Sequence, residues 1–216
     1  AMQLDQPLDF LAVTDHAFFL GMMRELSESK GKYANHPLRE SVRGATTATG
    51  SSAGFQAVVD YLGAGKSPGI DDRDVMRSSW GEIIEAAERH NDPGQFTTFI
   101  AYEYTSAGPQ AENLHRNVIF KDNQVPKEPF SRLSSANPEK LWEWMDAQRQ
   151  LGMDSIAIPH NSNGSDGWMF RTEKFEGGSI DRDYVAQRMR NEPIVENSQV
   201  KGTSDTHPLL SPNDEW

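Results

Sequence analysis

Leu8-Asp9-Phe10-Leu11-Ala12-Val13-Thr14-Asp15-His16 is the stretch that decides how this 216-residue chain is read. Leu8 to Val13 is a short, nearly continuous apolar run, the pattern of a parallel strand covered on both faces. It rises into a hydroxyl, a carboxylate and an imidazole, at the end of the strand where α/β barrels place their chemistry. Imidazole nitrogen and carboxylate oxygen are ligands that Zn, Mn and Fe share. Taken alone, the same residues suit another role: Asp15 capping a helix that starts near Ala17, with His16 a hydrogen-bonded polar residue.

Composition narrows the classes. A chain of this length can bury a real core and is expected to form one domain. A hydrophobic fraction of 36% and a mean hydropathy of -0.68 describe a polar, soluble protein. No apolar stretch approaches the roughly 20 residues that span a bilayer, and no signal peptide is visible. The compartment stays open between cytoplasm and periplasm, and no membrane partner is expected. A net charge of -11 argues against a nucleic-acid groove, which needs clustered Lys and Arg. The chain has no cysteine, so His, Asp and Glu must hold any metal.

The remainder alternates between strand and helix patterns. Ala17 to Ser29 reads as a helix with Phe18, Phe19, Met22, Met23 and Leu26 on one side. Lys30 to Gly69 reads as an insertion, polar at first and then helical from Ser52 to Leu62. Gly65-Lys66-Ser67 echoes a phosphate loop but lacks that motif's first glycine and follows a helix, so it carries no weight. Asp71 to Arg89 is a further helix. Gln95 to Thr105 and His115 to Lys121 are strands joined by a short loop. Asn137-Pro138-Glu139 is a helix start with an Asn cap, proline at the first position and an acid in the first turn. That helix runs to about Leu151. Asp154 to Pro159 is a fourth strand, Asp181 to Arg190 a helix, and Pro193 to Val200 a fifth strand.

The histidines fall at the strand ends. His16 follows the first strand and His160 the fourth, in Ala157-Ile158-Pro159-His160-Asn161. Glu103 lies near the end of the second, in Ile100-Ala101-Tyr102-Glu103-Tyr104-Thr105, and His115 opens the third. If the second and third strands pair as a hairpin, Glu103 and His115 share one end of the sheet. Parallel first and fourth strands would bring His16 and His160 to that same end. A carboxylate among several imidazoles makes a metal site, with Glu103 able to bridge two cations. Two plainer readings stand beside it: each histidine hydrogen-bonded within the fold, and Glu103 a buried acid paired with Arg116.

In this order, Thr14-Asp15-His16, the strand Glu103, His115 and Pro159-His160-Asn161 resemble the motifs of the PHP (polymerase and histidinol phosphatase) superfamily. Within it, Tyr102-Glu103-Tyr104-Thr105, His115-Arg116-Asn117 and Lys201-Gly202-Thr203-Ser204-Asp205-Thr206-His207-Pro208 resemble an uncharacterised PHP-like family of unknown function. The resemblance implies an α/β fold that is part of a distorted (β/α)7 barrel, with two or three divalent metals (Zn, Mn or Fe) at the C-terminal strand ends. It implies metal ligation by His16, Glu103, His115 and His160, catalytic roles for Glu103 as bridge and Asp15 as orienter of His16, and a further ligand pair in Asp205 and His207. The family's opening His-x-His is absent, and Asp205-Thr206-His207 sits in a loop. The chain is therefore expected to be a partial barrel with fewer metals, and its exposed strand edges point to association between copies.

The activity expected on this basis is hydrolysis of phosphoric esters by a metal-activated water. Arg116, Asn161 and Lys201 are the candidate contacts to a small phosphorylated substrate, since guanidinium, amide and ammonium donors suit phosphoryl oxygens. The same metal cluster would equally serve amide or ester hydrolysis. Without the His-x-His, a binding or structural module with impaired catalysis is the reading outside enzymes.

Overall fold

A computed structural model describes residues 6–28, 30–45, 47–63, 70–200, 202–205 and 209. The fold is mixed α/β, and no closed barrel forms among the described residues. The chain divides into two compact units, one built from residues up to Phe18 and from Ile83 onward, the other from Phe19–Glu82. The Lys30 to Gly69 stretch falls inside the second. Among the described residues no helix is long and apolar enough to cross a membrane.

The first unit carries the sheets. β1 (Phe10–Ala12) pairs in parallel with β2 (Thr97–Phe99). β3 (Ala101–Tyr104), β4 (Arg116–Phe120) and β5 (Ser155–Pro159) form an antiparallel sheet in that order. Ile100 alone separates β2 from β3, and the parallel register runs on across it. Phe10 faces Thr97, and His16 bridges Glu103 with the same offset. The Glu103 N–H donates to the Asp15 carbonyl at 2.8 Å, and the Ala17 N–H donates to the Glu103 carbonyl at 2.9 Å. Two successive antiparallel pairings reverse direction twice, so β5 runs the same way as β1. That direction is what brings His16 and His160 to one end.

These bonds also correct the helix start. Backbone that is still pairing as strand at Asp15 and Ala17 cannot open a helix there, and α1 (Met22–Glu28) begins five residues after Ala17. Asp15 is not its cap. The strand expected to be covered on both faces is also corrected. β1 pairs only with β2 among the described residues, and Phe10 and Val13 are 65% and 56% exposed. An apolar run records what a strand could bury, not which element arrives to cover it.

Side chains alternate along a strand and cross-strand partners share a face. Tyr102, Tyr104, Arg116, Val118, Phe120 and Ala157 occupy one face, none more than 2% exposed. The opposite face carries the row Glu103–Asn117–Ile158. Behind the buried face stand α5 (Pro138–Gln150), which buries Leu141, Trp142 and Met145, and α6 (Arg182–Asn191). The Asn137 side chain caps α5 by accepting from the Glu139 N–H at 2.8 Å, and Asp181 caps α6 through the Tyr184 N–H. The fifth strand expected over Pro193 to Val200 is reduced to β6 (Ser198–Gln199), in a hairpin with β7 (Gly202–Thr203). Its backbone donors go elsewhere: the Glu196 N–H donates to the Pro159 carbonyl at 3.0 Å.

The second unit is helical. It holds α1, α2 (Arg39–Arg43), α3 (Ala48–Gly63) and the start of α4 (Arg73–His90), around buried Met22, Leu26, Tyr33, Leu38, Ile70, Met76 and Trp80. Asp72 caps α4 by accepting from the Asp74 and Val75 N–H groups. Its other oxygen accepts from the Tyr33 hydroxyl at 2.6 Å and from Lys32 at 2.8 Å. Gly21 has φ 76, and a Cβ there would collide with Ser79, so both backbone conformation and space require glycine.

Candidate metal centre

Glu103 lies on β3, His115 immediately precedes β4, His160 immediately follows β5, and His16 extends the register of β1. The His160 N–H donates to the His115 carbonyl at 3.2 Å, so these two face each other one step beyond the Arg116–Pro159 pair. Glu103 is the hub. Its Oε1 lies 2.9 Å from His115 Nδ1 and 3.3 Å from His16 Nδ1, and accepts from the Thr105 hydroxyl at 2.9 Å. Its Oε2 lies 3.9 Å from His160 Nε2. His16 Nδ1 also meets Thr105 Oγ1 at 2.6 Å. Glu103, His115 and His160 each offer a ligand atom, and these atoms all lie within 4.8 Å of one another.

The donor set suits a divalent cation. Carboxylate oxygen and imidazole nitrogen bind Zn at roughly 2.0–2.2 Å, which sets tetrahedral ligand atoms about 3.4 Å apart, between the 2.9 and 3.9 Å that separate Glu103 from His115 and His160. Electrostatics favour it too. Burial pushes the Glu103 carboxyl up, but hydrogen bonds and charge from His115 and His16 outweigh it, leaving the group well below the usual carboxylate range. Burial lowers His160, against the pull of the Glu103 charge, which keeps the imidazole neutral with a lone pair to give. The hydrogen bond to Glu103 raises His16, against burial, and the Asp15 charge adds to it. An ionised, part-buried carboxylate facing imidazoles is an arrangement that a cation can enter by displacing protons.

Four of the expected residues therefore come together: His16, Glu103, His115 and His160. The others do not join them. Asp15 is exposed and reaches Glu103 through its backbone carbonyl. Arg116 points from the other face of the sheet. Its Nε donates to Glu192 Oε1 at 2.8 Å, and a second nitrogen donates to the Leu114 carbonyl. Neither a phosphoryl contact nor an ion pair with Glu103 describes it. Asn161, at φ 56, gives its backbone N–H to Glu196 at 3.0 Å, and its side-chain oxygen accepts from Gln199. It holds a loop. Asp205 is exposed, and Lys201 and His207 lie outside the described residues.

Thr105 and Glu196 escaped the sequence reading. Thr105, 7% exposed, fixes both Glu103 and His16. Glu196 Oε2 gathers Asn161 N–H, Gln199 and the Ser204 hydroxyl, the last at 2.7 Å, and so fastens the β6–β7 hairpin to the turn after His160. A hydroxyl two residues past a glutamate on a strand shares its face, which was a usable signal for Thr105. Nothing local marks Glu196.

The fold and this cluster define a mixed α/β protein with a histidine–carboxylate group that could hold a metal ion. The chain belongs to the family described as "Protein of unknown function (DUF3604)", whose model matches residues 1–216. No curated protein and no solved structure matches it.

Proposed function

We propose that this chain carries the metal centre of a PHP-type hydrolase acting on phosphoric esters. The observation that supports this most is the convergence of Glu103, His115 and His160 within 4.8 Å, from three neighbouring strands of one antiparallel sheet. Glu103, His115 and His160 would hold one ion. His16, which shares Glu103 Oε1 and has a side chain 57% exposed, would serve a second. A bound Zn, Mn or Fe ion would supply Lewis acidity and a water acidified toward neutral pH. Thr105 fixes the Glu103 oxygen and the His16 ring together, and the Asp15 carboxylate adds negative charge beside His16. In this reading, β1, the 97–104 strand, β4 and β5 are a sector of a (β/α)7 barrel. The antiparallel β4 is a departure from a strict (β/α) repeat.

The placement of Arg116 supports a second substrate class. With that guanidinium committed to Glu192, amide or ester hydrolysis at the same centre stands beside phosphoester hydrolysis. Purified protein should contain a transition metal and hydrolyse a generic aryl phosphate, and both should be lost in Glu103→Gln. Turnover of aryl esters or anilides in place of the phosphate would move the proposal to the second class. Metal-free protein that cannot be reloaded with Zn, Mn or Fe would end it. Association through the exposed β1 edge belongs to the same proposal, and sedimentation velocity would show it as dimers that a Phe10→Lys change dissociates.

A further inference from the structure

Asn117 occupies the floor of the cluster. Its register partners on the same face are Glu103 across β3 and Ile158 across β5. His115 lies two residues before it on its own strand, and His160 two residues beyond Ile158, so both project from that same face. Of its nearest neighbours on that face, Glu103 and His115 belong to the metal-capable group, and the third member, His160, lies diagonally across, opposite His115. Its side-chain oxygen is buried and has no protein hydrogen-bond partner. Leaving such an oxygen unpaired costs about 1–3 kcal/mol, and unpaired buried polar groups of this kind mark strain, catalysis or an unseen water or ion.

We infer that Asn117 is a positioning residue of the metal centre: its Oδ1 accepts a hydrogen bond from water bound to an ion held by Glu103, His115 and His160. Three protein donors leave a fourth position for water in a tetrahedral catalytic site. A water in that position has protons to donate, and Asn117 carries an uncommitted acceptor on the same face of the sheet as the ligands. This rests on the proposed metal centre and assigns it a residue outside its ligand set. Outer partners of this kind typically tune metal affinity by 10- to 100-fold.

The test uses the full chain and Zn²⁺, titrated against a chromophoric chelator, with Co²⁺ absorption as a second readout. Asn117→Leu should bind Zn²⁺ about 10- to 100-fold more weakly than wild type and shift the Co²⁺ d–d bands. Its metal-free melting temperature should be unchanged or higher, because the unpaired oxygen is gone. Asn117→Asp keeps an oxygen and should bind at least as tightly as wild type. A merely structural asparagine would lower the melting temperature and leave metal affinity alone. Wild-type Zn²⁺ affinity and Co²⁺ spectrum in Asn117→Leu would overturn this inference while the metal centre stands. Failure of the wild type itself to bind Zn²⁺ or Co²⁺ would overturn both.

Discussion

Glu103 and Glu192 are two sequestered carboxylates on opposite sides of one three-stranded sheet, with side chains 11% and 3% exposed. Glu192 is compensated by permanent donors. Arg116 and the Trp142 indole N–H share its Oε1 at 2.8 Å each, and Arg188 donates to its Oε2 at 3.1 Å. Arginine does not lose its proton in a protein, so this site is closed to exchange. Glu103 is compensated by two imidazoles and a hydroxyl, groups that a metal ion can displace or recruit. The sheet thus has a structural face, where every charge has a fixed partner, and a chemical face, where the partners are replaceable.

That contrast can be broken from either side. Removing one member of the structural network should do the most damage, since breaking a buried ion pair typically costs about 3–5 kcal/mol. Arg116→Met should lower unfolding stability by that order in denaturant titrations. The double variant Arg116→Met/Glu192→Met should recover only part of it, because Arg188 and the Trp142 indole N–H lose their shared acceptor. Glu103→Gln should cost less without metal, about 1.5–3 kcal/mol, the scale of hydrogen bonds to a charged group. The next largest effect is ligand-linked. Zn²⁺ at about a hundred times its Kd should stabilise the wild type by ~2.7 kcal/mol and leave Glu103→Gln unmoved, as melting curves would show.

A smaller effect separates the faces by pH. Arg190 foremost, then Gln187 and Asn191, offset burial and hold the Asp146 carboxyl down to about 2, against 3.8 for an unperturbed group. A depressed carboxylate contributes stability that is present above its unfolded value and lost as pH falls through its folded value. Wild type should therefore exceed Asp146→Asn by about 1 kcal/mol near neutrality, discounted for the half-exposed Arg190. The gap should close between about pH 5 and pH 2. Of the same order is the cap: Asn137→Ala should cost about 1 kcal/mol without altering metal uptake.

Much of this was legible in the residues. Apolar runs ending in His16, Glu103 and His160, with His115 opening the next strand, were enough to place the cluster, because strand direction carries a terminal side chain to a known end. The Asn137-Pro138-Glu139 start was legible because capping is a local interaction. Arg116 shows what alternation could have added: flanked by His115 and Asn117, it must face away from both. Its partner Glu192 lies 76 residues along the chain, and no local pattern points to it. The exposure of β1 and the reduction of the fifth strand to a two-residue pairing depend on which elements come to lie alongside, which periodicity does not encode. Glu196 and Asn117 owe their places to loop docking and sheet register, both settled only in three dimensions.

The most direct test of the replaceable face is equilibrium dialysis of metal-free protein against Zn²⁺, read by elemental analysis, for wild type, Glu103→Gln, His115→Ala and His160→Ala. Wild type should retain at least one ion per chain, and each variant should retain far less. A wild type that retains no Zn²⁺, or variants that retain as much as it does, would contradict the account.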